Sequence, residues 1–96
     1  MNTETIKMLE SYDSKISILD ISWKKIYGIL DLSRFTNLIE LDCSVNSITK
    51  IINYPPTLKK LNCQRNILDS LNDLPQSLNK LNCSSNYIKN LDNLPS

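Results

Sequence analysis

Histidine is absent from this chain, and glycine, phenylalanine and tryptophan occur once each. Without histidine the commonest general base and the commonest metal ligand are gone. A single glycine excludes a glycine-rich phosphate loop, and no Cys/His or Ser/His pairing is available for nucleophilic catalysis. No apolar run approaches the ~18 residues of a membrane helix. A formal net charge of +1 provides no electrostatic footprint for nucleic acid or for an anionic membrane surface. The opening Met1-Asn2-Thr3-Glu4-Thr5 lacks a basic region followed by an apolar stretch, so no secretory leader is expected. Three cysteines are an odd number, which fits reduced thiols in a cytosol-like compartment. The expectation is therefore no enzyme, no cofactor, no metal, and a cytoplasmic, intracellular location.

What remains is one small domain of 96 residues with an ordinary 41% of hydrophobic residues. Its order is a repeat. Leu38–Ile48 (LIELDCSVNSI), Leu58–Leu68 (LKKLNCQRNIL) and Leu78–Ile88 (LNKLNCSSNYI) superpose without gaps at intervals of 20 residues. Each continues with Ile51, Leu71 or Leu91, then with Tyr54-Pro55, Leu74-Pro75 or Leu94-Pro95. A degenerate copy precedes them, with Ile16, Leu19, Ile21, Ile26 and Ile29, then Leu32 and Phe35; it is 22 residues long. Units of about 16–37, 38–57, 58–77 and 78–96 follow.

Each position has a physical reading. The alternation around the fourth-position leucine has the period of a half-buried strand. The apolar residues at positions one, four, six, eleven, fourteen and seventeen point inward, so stacked copies make one apolar column. A single unit is one layer and cannot bury its own face; neighbours stabilise it. The ninth-position Asn46, Asn66 and Asn86 can donate to and accept from the backbone of adjoining turns. Twenty residues leave little room for a helix on the return path, where the Leu-Pro steps favour extended or polyproline geometry. Residues 1–15 stand outside the repeat: Asn2 or Thr3 can cap a short helix, with Ile6, Leu9 and Tyr12 on one face covering the first unit. At the other end the chain stops after a complete unit with no polar terminal repeat, and Leu78, Leu81, Ile88 and Leu91, with Cys83, are expected on an open face.

This pattern resembles the leucine-rich-repeat family, in its shortest, bacterial-type form with Leu-x-x-Leu-x-Val/Cys-x-x-Asn-x-Leu-x-x-Leu-Pro-x-Leu-Pro units. That form is familiar from bacterial effectors delivered into host cells and from large DNA viruses. The resemblance is strong over 38–96 and weak over 16–37. It implies an α/β fold by family convention: a right-handed solenoid with a short parallel sheet, an extended or polyproline convex side and a short N-terminal helix. Two departures stand out. Lys24 occupies the ladder-asparagine position of the first unit, and Ser70-Leu71-Asn72 lacks the proline that often follows position fourteen.

Cys43, Cys63 and Cys83 form one inward column of strands about 4.8 Å apart, a line of sulfurs suited neither to tetrahedral zinc nor to disulfides, and read as small core residues. By alternation the outward strand positions hold Asp20, Glu40, Asp42, Lys60, Asn62, Gln64, Lys80 and Asn82, acidic in the first half and basic in the second. That strip is either a partner-binding face or a solvated surface that keeps the sheet soluble. Trp23, where the first strand ends, reads as packed under the N-terminal helix, with a partner anchor as the alternative. Arg65 and Tyr87 are further anchor candidates on the same edge. The leading expectation is a non-catalytic protein-interaction module binding another protein through the strand face. The alternatives are a homodimer through the bare last repeat and the substrate-recognition part of a ubiquitin-ligase-like effector.

Overall fold

The computed structural model describes residues 1–88. It is a small solenoid of stacked parallel strands preceded by one short helix. In chain order the elements are α1 (Thr3–Glu10), β1 (Ile18–Asp20), β2 (Tyr27–Asp31), β3 (Glu40–Asp42), β4 (Ser47–Ile52), β5 (Lys60–Asn62) and β6 (Lys80–Asn82). The strands β1, β3, β5 and β6 form one parallel sheet in that order, each contributed by a different unit. Leu19, Leu41, Leu61 and Leu81 stand opposite one another in this register, so the repeat seen in the sequence is the repeat of the fold. Among the described residues no helix is long and apolar enough to cross a membrane.

The strands are three residues long because local chemistry stops them. In every unit the fifth-position side chain accepts a hydrogen bond from the backbone N–H two residues on: Asp20 from Ser22 at 3.0 Å, Asp42 from Ser44 at 3.0 Å, Asn62 from Gln64 at 3.2 Å and Asn82 from Ser84 at 3.2 Å. This is the turn that Asp and Asn stabilise through their own backbone. The eighth residue then turns left-handed, with φ of 57° at Trp23, 56° at Val45, 55° at Arg65 and 57° at Ser85. None is glycine, so each pays about 1–2 kcal/mol of steric strain for the corner.

The return paths are extended. Those of the first two units pair as a second parallel sheet, β2 with β4. Residues 67–72 of the third unit make no such strand. Composition accounts for the difference: β4 is rich in β-branched residues, whereas Asp69, Ser70 and Asn72 are poor strand formers.

The interior is the expected column. Leu38, Leu58 and Leu78 at position one, Leu19, Leu41 and Leu61 at position four, and Ile26, Ile48 and Leu68 at position eleven are all buried. Each contributes roughly 1.5–3 kcal/mol by leaving water. One inward assignment is corrected. Ile29 is 46% exposed and Leu30 takes its place at 0%. Ile26 and Ile48 both donate to a ladder asparagine, whereas Leu30 pairs with Ile51, so the first unit has one extra residue between its eleventh and fourteenth positions; the β2–β4 register itself shifts beside Gly28, where Thr49 of β4 has no partner. The second extra residue lies between Leu30 and Leu38 and lets Phe35 fill the core.

Helix α1 starts at Asn2, whose Oδ1 accepts the Thr5 N–H at 2.7 Å. It buries Thr5 and Leu9 and leans Met8 and Tyr12 on the core, while Ile6 is exposed, contrary to the expected face. The Arg34 guanidinium donates to the carbonyls of Glu10 (3.3 Å) and Tyr12 (2.7 Å), satisfying acceptors the helix end leaves over.

Candidate functional site

The asparagine ladder ties each unit to the one before it. Asn66 Nδ2 donates to the carbonyls of Cys63 (3.1 Å) and Gln64 (3.3 Å) in its own unit and to Cys43 (3.0 Å) in the preceding one. Its Oδ1 accepts from Ile48 N–H at 2.9 Å, again in the preceding unit. Asn86 does the same for Cys63 and Leu68, and Asn46 for Ile21, Lys24 and Ile26. Each ladder residue thus completes the unit before it. Lys24 departs from the pattern without cost because no repeat unit precedes its own. No buried side-chain polar atom among the described residues lacks a partner.

Cys43 and Cys63 are buried in the core beside this ladder, and Cys83 is half-buried at the end of the column. Burial pushes the Cys43 thiol well above its ordinary range and the Cys63 thiol up to about 12. Neither supplies a thiolate at neutral pH. Among the described residues no group of three or more His, Cys, Asp or Glu side chains is placed to hold a metal ion.

The outward face of β1, β3, β5 and β6 is an open trough of about 410 Å³. Of the eight strand-face residues, Asp20, Lys60, Lys80 and Asn82 are exposed, and Glu40, Asp42, Asn62 and Gln64 are half-buried. Two columns run across the strands: Ile18, Glu40, Lys60, Lys80, and Asp20, Asp42, Asn62, Asn82. Lys60 Nζ lies 3.1 Å from Glu40 Oε1. Asn82 Nδ2 donates to Gln64 Oε1 at 3.2 Å. Ser22 and Ser44 each donate their hydroxyl to the Asp two residues back at 2.6 Å. These bonds from Ser22 hold the Asp20 carboxyl below its ordinary range, so it stays ionised. Alternation alone does not reveal the structural task of the fifth-position residues, but recurrence does, since every unit has Asp or Asn at position five and Ser or Gln at position seven.

The edge residues are placed differently from the favoured reading. Trp23 does not pack under α1; it is 73% exposed, because its left-handed backbone turns the side chain out of the layer. A shallow surface hollow joins it to Lys25, Val45 and Ser47 of the neighbouring turn. Arg65 and Tyr87 are exposed on the same edge in later units. At the last described unit Leu78 is buried under Leu58's layer, and Leu81 and Ile88 are half-buried. Leu91 lies outside the described residues.

Comparison with known proteins found no matching family model, no matching curated protein and no matching solved structure.

Proposed function

We propose that this chain is a leucine-rich-repeat solenoid acting as a non-catalytic protein-interaction module, with the outward face of β1, β3, β5 and β6 as its binding surface. The repeat pattern supports the family reading, and the stacked parallel strands are compatible with it. One observation carries the functional reading: the trough collects polar and charged side chains from four units whose spacing is set by a hydrogen-bonded ladder. Such a surface needs little ordering on binding, which is how a small face gains affinity. The inward side chains are used by packing and the ladder, leaving the strand face free to carry specificity. An intracellular partner protein fits the reduced thiols.

The test is charge reversal of the face, Glu40→Lys with Lys60→Glu and Lys80→Glu, combined with Asp42→Asn, which keeps the turn. Partners captured by the wild-type chain should be lost at least tenfold while the folded circular-dichroism spectrum persists. Retention of every partner by the reversed chain refutes the strand face as the binding surface.

A further inference from the structure

We propose that the strand face receives an extended protein segment bearing one basic and one acidic residue four positions apart, the basic one over Asp20 and Asp42, the acidic one over Lys80. This rests on the strand-face reading above and adds the chemistry of the partner.

The register sets like charges side by side at two corners of the trough. Asp20 stands directly opposite Asp42 on β1 and β3, and Lys60 directly opposite Lys80 on β5 and β6. Like charges in that arrangement oppose strand pairing. The turn does not require the acidic pair, because Asn62 and Asn82 make the same hydrogen bond two residues on without a charge. Asp20 and Asp42 therefore carry negative charge that closing the turn does not require. At the other corner, the only ion pair among the described residues joins Lys60 to Glu40, and it does not include Lys80. A ligand with the opposite dipole relieves both corners.

The spacing fixes the ligand's pattern. Adjacent strands lie about 4.8 Å apart and successive residues about 3.3 Å, so the centre of the Asp20–Asp42 pair lies about 14 Å from Lys80 on the diagonal. An extended segment advances about 13–14 Å over four residues, and side chains at i, i+2 and i+4 share one face. The middle residue then lies between Lys60, whose charge Glu40 neutralises, and the uncharged Asn62, and needs no charge of its own.

The experiment is selection from a random nonapeptide display library on the full chain, on Asp20→Asn/Asp42→Asn and on Lys80→Gln, followed by affinity measurement with synthetic representatives. The wild type should enrich Lys or Arg four positions from Asp or Glu, in either chain direction. The double Asn variant should lose the basic preference and Lys80→Gln the acidic one, each with at least a tenfold loss of affinity while the folded circular-dichroism spectrum persists. Should the double variant not fold, Asp20→Asn and Asp42→Asn singly give the same comparison. Selected peptides without that spacing, yet dependent on Glu40 and Lys60, overturn the dipolar segment and leave the strand-face reading standing. Peptides that bind every face variant equally overturn both, and absence of any enrichment overturns the dipolar segment.

Discussion

Asn66→Ala tests the ladder at its most buried point. Asn66 is 4% exposed and makes four hydrogen bonds to backbone. Their loss is unequal. Cys43 O keeps Asn46 as a donor at 3.0 Å, Cys63 O keeps Asn86 at 2.9 Å, and Gln64 O keeps the Val45 N–H at 3.0 Å. The Ile48 N–H has no such substitute, and Ile48 is fully buried. An orphaned buried donor costs about 1–3 kcal/mol, and weakening three acceptors brings the total to about 2–4 kcal/mol. Against a total stability of about 5–15 kcal/mol this is a large fraction. At about 4–8 °C per kcal/mol for a domain of this size, the melting temperature should fall by about 8–30 °C. Asn66→Asp should be at least as damaging, since it keeps the acceptor for Ile48 but turns oxygens toward three carbonyls. Lys24→Ala, at the same position of the first unit, should change stability by less than about 0.5 kcal/mol. Urea unfolding followed by far-ultraviolet circular dichroism measures all three. If Asn66→Ala and Lys24→Ala unfold at the same urea concentration, the ladder does not stabilise the stack in the way argued.

Three further outcomes follow from other parts of the fold. Leu30→Ala should destabilise by about 2–5 kcal/mol and Ile29→Ala by less than about 1 kcal/mol, because the inserted residue puts Leu30 inward; the reverse order in thermal melts would relocate the insertion. Val45→Asn should raise stability by about 1 kcal/mol, because a β-branched residue at φ 56° is strained where asparagine is not, while Val45→Thr should show no such gain. Asp31 accepts from Asn53 Nδ2 at 3.0 Å and from the Ser33 N–H at 2.9 Å, and these bonds, Asn53's first, hold its carboxyl below the ordinary range. The unfolded value is about 3.9, so this contribution is complete above about pH 4 and disappears as pH falls through the lower folded value. Asn53→Gly removes the bond without straining φ 59°. Its melting temperature should lie below wild type at pH 6, and the gap should close below pH 4; a gap that stays constant with pH contradicts the assignment.

The division between sequence and tertiary structure runs through particular residues. Leu41, Cys43, Asn46 and Ile48 announce their roles by recurring every 20 positions, since each layer meets a near-identical neighbour and the same contact is solved again. In the first unit that redundancy is lost. The sequence placed two extra residues somewhere within 16–37, and periodicity alone set Ile29 inward; packing against β4 chose Leu30. Trp23 has a sequence position but no sequence signal for its backbone, and the left-handed corner that turns it to solvent recurs at Val45, Arg65 and Ser85 whatever the side chain. Alternation, a local property of extended chain, puts Asp20, Glu40, Asp42, Lys60, Asn62, Lys80 and Asn82 on one face, and they line the trough; Gln64 lies beyond the end of β5. Whether a given charge is spent on the protein itself is not local. Asp20, Asp42 and Glu40 read alike as acidic, yet the fold assigns the first two to turns and the third to an ion pair, because hydrogen-bond partners are supplied by residues that only folding brings within reach.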